Sequence, residues 1–124
     1  MNPETSRYRG KKEYALIYTE LTTAAKYRGT VTYQEIAQIM GLPLSGNHMS
    51  REVGWILGEI SETELGNGRP MLSAIAVGVN GKPGQGFFEW ARKLGRLTTE
   101  DEQSFWASEC KTVYDTWRVK LQKG

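Results

Sequence analysis

The stretch Thr30 to Gly41, TVTYQEIAQIMG, followed shortly by Arg51-Glu52-Val53-Gly54, constrains the fold of this chain more than any other feature. Val31-Thr32-Tyr33 is short and favours strand. Thr32 can cap a following helix, with Glu35 three residues on as the capping-box partner. Ile36, Ile39 and Met40 supply a buried face, Gly41 ends the helix and Pro43 prevents its continuation. The turn that follows contains Pro43, Ser45, Gly46 and Asn47, all turn formers. A third helix is expected from Asn47 or Ser50 to Glu59, with Val53, Ile56, Leu57 and Ile60 facing inward and Arg51, Glu52 and Trp55 on its other face. Two helices joined in this way, the second with an arginine near its start, are a helix-turn-helix written in sequence. Nucleic-acid binding is therefore the leading expectation.

The rest of the chain fits around this pair. Residues 1–10 contain Pro3, Gly10, Arg7 and Arg9 and are expected to form a flexible arm, its charge extended by Lys11 and Lys12. A first helix should run from Lys11 to Tyr27, where Tyr14, Ile17, Tyr18, Leu21, Ala24 and Ala25 recur at helical spacing and Gly29 is the stop. Ser61 to Arg69 is polar and contains glycine, so it reads as a loop or a frayed helical extension. Pro70 to Val79, PMLSAIAVGV, is uncharged and apolar and predicts a strand buried on both faces. A glycine-rich turn over Gly81 to Gly86 leads into a short helix through Phe87, Phe88, Trp90, Ala91 and Leu94, closed by Gly95. A last helix, capped at Thr99 with Glu102 as box partner, carries Trp106, Cys110, Val113, Trp117 and Leu121 as one apolar stripe. The organisation expected is a basic arm over 1–10, one domain over 11–97 and a packing helix over 98–124.

Bulk properties narrow the function. At 124 residues the chain is long enough to bury a core without disulfides or metal. Its net charge of +2 means that any DNA footprint comes from local clustering. A lone cysteine, Cys110, fits a reducing cytoplasm. The polar start lacks the apolar stretch of a signal peptide, and no apolar run approaches the roughly 20 residues that span a bilayer.

In order, these pieces resemble the DNA-binding half of the alkylguanine-DNA alkyltransferases and alkyltransferase-like proteins, a winged helix-turn-helix. Val31-Thr32-Tyr33-Gln34-Glu35-Ile36-Ala37 and Arg51-Glu52-Val53-Gly54 carry the resemblance. Pro70 to Val79 stands at the active-site strand, and Gly81 to Gly86 near the wing. The likeness covers about residues 13–95. It implies an α+β, mostly α fold with a small β wing, to which this chain adds a C-terminal helix. It also implies that Arg51 enters the base stack when a nucleotide flips and that Tyr33 lies beside that nucleotide's phosphate. The chemistry departs from the family. The alkyltransferase uses a cysteine thiolate activated by a histidine. The corresponding positions here are Ile75, Ala76 and Val77 or, shifted by one, Ala74, Ile75 and Ala76, and Cys110 lies outside the motif. Alkyl transfer is rejected, and binding of duplex DNA at distorted or modified sites remains.

The expected nucleic-acid contacts are Arg51, Tyr33, Thr32, Ser45, Asn47, His48, Ser50, Lys82, Arg7, Arg9, Lys11 and Lys12. Each has a plainer reading: a helix arginine pairing Glu52 or Glu59, a tyrosine packed on the helical pair with its hydroxyl in solvent, turn chemistry at residues 45–50, a solvated lysine, a disordered terminus. His48 is the only histidine and cannot alone make a metal site. The glycine-rich turn lacks the Gly-Lys-Ser/Thr end of a phosphate-binding loop, which sets a nucleotide sensor well behind. No serine triad or carboxylate pair for acid-base work is evident, Glu62, Glu64 and Glu100 to Glu102 read as solvated acids, and no cofactor is expected. The rival function is a protein-interaction module, an adaptor of phage, plasmid or defence systems. It would use an aromatic surface drawn from Phe88, Trp90, Phe105, Trp106, Tyr114 and Trp117, residues that otherwise read as core. Glu52 and Glu59 on the third helix weigh against DNA and towards this rival.

Overall fold

A computed structural model describes residues 6–118. Five helices surround one short buried segment: α1 (Lys12–Lys26), α2 (Tyr33–Met40), α3 (Asn47–Gly66), α4 (Gln85–Lys93) and α5 (Glu102–Trp117). Two short strands, β1 (Val31–Thr32) and β2 (Ala76–Val77), pair in parallel, Val31 opposite Ala76 and Thr32 opposite Val77. The fold is thus α+β and mostly helical. The strands make no antiparallel hairpin, so the small β element differs in form from the β wing expected.

The first half of the chain follows the reading of its residues closely. Thr32 Oγ1 accepts the Glu35 N–H at 3.1 Å and caps α2 as expected, while the Glu35 carboxylate accepts the Thr32 hydroxyl at 3.0 Å rather than the Thr32 backbone N–H of a full capping box. Gly41 ends α2 in the left-handed region at φ 73°, where a β-carbon would be strained. At the end of α1 the left-handed residue is Arg28, φ 60°, and the Gly29 N–H caps the Ala24 carbonyl at 2.8 Å. α5 starts two residues later than expected: Asp101 is its cap and accepts the Ser104 N–H at 3.0 Å, while the Glu102 N–H that Thr99 would have taken goes to the Glu100 carbonyl at 3.0 Å. Leu121, the last residue assigned to its stripe, lies outside the described residues.

The core joins Ile17, Leu21 and Ala25 of α1 to Ile36 and Ala37 of α2 and to Val53, Ile56, Leu57 and Ile60 of α3. Each large aliphatic side chain so buried contributes about 1.5–3 kcal/mol. Through the middle runs residues 70–77, every one buried. The expected strand over Pro70 to Val79 is mostly a 3-10 turn, Leu72–Ile75, and only Ala76–Val77 is strand. A continuous apolar run reports burial, and here side chains rather than a sheet satisfy its backbone. Glu109 accepts the Met71 N–H at 3.0 Å, Ser61 Oγ accepts the Ser73 N–H at 3.2 Å, and Trp106 Nε1–H donates to the Ala74 carbonyl at 2.9 Å. The Glu109 carboxylate is itself forked by Arg96, with Nε at 3.0 and 3.2 Å and Nη2 at 3.0 Å.

α3 continues to Gly66, past the expected end at Glu59, because its polar second half is buried rather than solvated. Ser61 and Glu64 are both fully buried, and Glu64 is paired with Arg69. Glu64 is therefore not the solvated acid that its sequence neighbourhood implies.

Residues 6–9 are not the free arm expected over 1–10, of which residues 1–5 lie outside the described residues. Residues 6–9 wrap around Glu59, which is fully buried. Its carboxylate accepts the Ser6 hydroxyl at 2.6 Å and the backbone N–H groups of Arg7 at 2.9 Å, Tyr8 at 3.1 Å and Arg9 at 3.1 Å. Arg9 pairs with Glu62 at 3.1 Å, and its Nε donates to Thr63 Oγ1 at 3.1 Å. A buried carboxylate needs this many donors, and the segment supplies them. Burial pushes the Glu59 carboxyl up, but the donors from Ser6, Arg7, Tyr8 and Arg9 outweigh it and hold the net value below the ordinary 4.5. Glu52 is likewise held low, first by the Tyr8 hydroxyl and against the effect of burial, with Arg7 assisting.

Depressed carboxylates stabilise the fold above their unfolded value and lose that contribution as pH falls through the folded value. Protection of the amides of residues 7–9, taken relative to their intrinsic exchange rates, should therefore fall only as the pH drops below about 4.5, the ordinary glutamate value. Glu59→Gln should cost about 2 kcal/mol in chemical denaturation and remove most of that acid dependence. An unchanged stability would show that the segment is not anchored by this charge.

Candidate nucleic-acid interface

α3 begins without a side-chain cap. Gly46 precedes it at φ 96°, and no acidic residue occupies its first turn. The unpaired N–H groups and the positive end of a 20-residue helix thus open outward. Asn47, His48, Ser50 and Arg51 are all exposed around this end. Arg51 Nη2 lies 3.4 Å from His48 Nδ1, an arrangement in which the ring nitrogen is the acceptor. Its side chain is 62% exposed, with Nε 3.5 Å from Glu52.

Beside this end lie two hollows. The larger, of about 910 Å³, opens between α3 and α4, with Arg51, Trp55, Phe87 and Trp90 in its walls. The smaller, of about 270 Å³, lies between the start of α2 and the α2–α3 turn and includes Thr32, Ser45 and Ser50. Tyr33 lines both. Its hydroxyl is not simply in solvent, since the Gly84 N–H donates to it at 2.7 Å. Because the oxygen accepts there, its proton stays available to donate to an anion. Burial raises the phenol above its ordinary value, against the effect of the Gly84 N–H, so it stays protonated near neutrality. A β-carbon at Gly78 or Gly84 would come within 4 Å of Tyr33, so these glycines leave room for it, and the Gly84 hydrogen bond joins α2 to the loop before α4.

The structure therefore gathers Thr32, Tyr33, Ser45, Asn47, His48, Ser50 and Arg51 on one face. Lys82 is exposed in the loop after β2. That loop is a compact turn in which the Gly78 N–H donates to the Lys82 carbonyl at 2.9 Å and the Lys82 N–H to Asn80 Oδ1 at 3.1 Å. Arg7 and Arg9 stand elsewhere than expected, engaged with acids along α3. Lys11 and Lys12 are exposed at the start of α1, with Lys11 Nζ 5.9 Å from the Tyr8 ring.

The larger cleft escaped sequence reasoning, although its signal is present. Gly54 and Gly58 fall one turn apart on α3, on the stripe that also holds Arg51 and Trp55. A β-carbon at Gly54 would meet nothing within 4 Å, while one at Gly58 would touch the Trp90 indole at 3.5 Å. Two missing side chains hollow the α3 surface, and α4 lays Trp90 across one end, its Nε1–H donating to the Gly58 carbonyl at 3.1 Å. Lys93, 5.4 Å from the Trp90 ring, and Glu89 add charge at the cleft.

No thiol lines either hollow. Ser73 reaches the larger one, but its hydroxyl is 2.7 Å from that of Ser61, and no histidine or lysine activates it. Cys110 Sγ contacts the Ala74 carbonyl at 3.4 Å, and burial pushes its thiol up to about 11. Among the described residues no group of His, Cys, Asp or Glu side chains could hold a metal ion. None of the described helices is long and apolar enough to cross a membrane.

The aromatic residues considered as a partner surface are half-buried against the core. Trp90 and Trp106 donate to carbonyls as above, and the Tyr114 hydroxyl donates to the Gly29 carbonyl at 2.9 Å. Trp117 meets Tyr18 edge-on at 6.1 Å.

No protein-family model, curated protein or solved structure matches this chain.

Gly54 offers a direct test of the cleft. Gly54→Ala should raise stability by about 0.5–1 kcal/mol, the helix propensity gained in open space. Gly54→Leu should fill the cleft and weaken binding of any ligand that enters it, while the melting temperature does not fall. A loss of stability with either variant would mean that the space is not open.

Proposed function

We propose that this protein binds duplex DNA through the α2–α3 face and performs no chemistry on it. The observation that carries this reading is the convergence of Tyr33, Ser50 and Arg51 at the uncapped start of α3, beside the cleft between α3 and α4. On this reading α2 and α3 act as the helix-turn-helix of an alkyltransferase-like winged helix. The loop bearing Lys82 takes the part of the wing without being a hairpin. Backbone N–H groups at the start of α3, with Thr32, Tyr33, Ser45, Asn47, His48 and Ser50, anchor phosphates. Arg51 reaches the base stack, and Trp55, Phe87 and Trp90 offer flat apolar surface to a base displaced from a distorted or modified site. Flipping costs a few kcal/mol, least at a mismatched or damaged base, so preference for such sites follows from the mechanism.

One observation favours a protein partner instead. Leu44, 50% exposed, and Val79, 87% exposed, both border the smaller hollow. An apolar rim suits a protein as well as a nucleic acid.

Fluorescence anisotropy with a labelled duplex at two salt concentrations separates these readings. DNA binding predicts affinity that falls steeply with salt. Arg51→Ala should weaken it by about 1–3 kcal/mol with folding intact, and duplexes carrying a mismatch or a bulky base should bind more tightly. Absence of binding at low salt would contradict the DNA reading and leave the Leu44–Val79 rim as the surface to pursue.

A further inference from the structure

Arg51 and Glu52 are neighbours in sequence, and an unoccupied carboxylate there would hold the arginine away from any phosphate. Glu52 is occupied. Its Oε1 accepts the Tyr8 hydroxyl at 2.5 Å and its Oε2 accepts Arg7 Nη1 at 2.9 Å. Arg51 Nε also pairs with Oε2, at the longer distance of 3.5 Å. The Glu52 side chain is only 10% exposed, so its charge must be matched by whatever cation is near. Two cations compete for it, and Arg7 has the better geometry. Arg7 is fixed in three ways: its guanidinium lies 4.0 Å over the Trp55 ring, its Nη1 bonds Glu52, and its backbone N–H is held by Glu59 at 2.9 Å.

We infer that the N-terminal segment keeps Arg51 available to nucleic acid by occupying Glu52, which makes Arg7 and Tyr8 positioning residues for the interface. This rests on the DNA reading above and deepens it. It also reverses the meaning of two acids that count against DNA binding in the bare sequence. Both charges are met mainly from within the protein, Glu59 by residues 6–9 and Glu52 by Tyr8 and Arg7 at shorter distance than by Arg51. Arg7 then contributes to affinity through Arg51 rather than by touching the nucleic acid. If Arg7 is removed, Glu52 turns to the remaining cation, and Arg51 is drawn back along α3.

A double-mutant cycle in duplex binding tests this, with Arg7→Ala, Arg51→Ala and the pair compared with the unaltered protein, and folding followed by thermal melting. Arg7→Ala should weaken binding about tenfold, within the range that a lost arginine contact costs. The double variant should bind no more weakly than Arg51→Ala alone, and Arg7→Lys should recover most of the affinity. Losses that add would mean that Arg7 meets phosphate by itself, which overturns the inference and leaves the DNA reading in place. An Arg7→Ala variant that binds as tightly as the unaltered protein, beside a weakened Arg51→Ala, overturns it equally. If the unaltered protein binds no duplex at low salt, the DNA reading fails first and this inference with it. Should Arg7→Ala unfold the protein, Tyr8→Phe removes the other strong donor to Glu52, and the same non-additivity with Arg51→Ala is expected.

Discussion

A carboxylate buried on a helix must be met by donors, and α3 carries this demand along much of its length. Glu52, Glu59 and Glu64 are all buried on it. Each recruits a different piece of the chain: Tyr8 and Arg7 come to Glu52, the backbone of residues 7–9 to Glu59, and Arg69 to Glu64. Much of the tertiary arrangement follows. The N-terminal segment is tied down, α3 remains helical to Gly66, and the chain turns back at Arg69 into the buried segment beneath. Glu109 plays the same part from α5, accepting the Met71 N–H and the Arg96 fork. These charges give directional contacts that the apolar core alone lacks. Removing a donor leaves a desolvated charge, which costs far more than a surface ion pair contributes.

With its acids matched, α3 presents an unusually simple functional end. The first turn has no side-chain cap and no acid, and Arg51 is the exposed charge beside it. Tyr33 at the start of α2 holds the loop before α4 through the Gly84 N–H, which braces the α4 side of the cleft. Gly54 provides the depth by being absent as a side chain. On the DNA reading proposed above, this end would favour a nucleic acid whose stack is already disturbed, because the protein then supplies less of the unstacking energy.

Much of this was legible where local chemistry decides structure. Thr32 and Glu35 announce the cap of α2, Gly41 and Pro43 its end, and the periodic apolar residues of α1 and α3 their inward faces. Thr32, Tyr33, Ser45, Ser50 and Arg51, each marked by its local sequence, line the two adjoining hollows. What was not legible depends on partners distant in sequence. Nothing near Glu59 reveals that residues 6–9 will surround it, so the arm read as flexible and Arg7 and Arg9 as free cations. Ser61 and Glu64 look solvated until Ser73 and Arg69 are placed beside them. Residues 70–77 read as a strand because an apolar run signals burial equally in a strand and a 3-10 turn. The cleft was hidden because two glycines one turn apart leave no residue type to notice, only a space.

The central claim is that the start of α3 and the cleft beside it form the nucleic-acid interface. Titration of the isotope-labelled protein with a short duplex containing one mismatch, followed by amide and arginine side-chain chemical shifts, tests this most directly. The account predicts that the largest changes fall on residues 47–51, on Tyr33 and on the Trp55 and Trp90 indoles, with α1 and α5 little affected. Shifts confined to the outer faces of α1 or α5, or none at all, would contradict it.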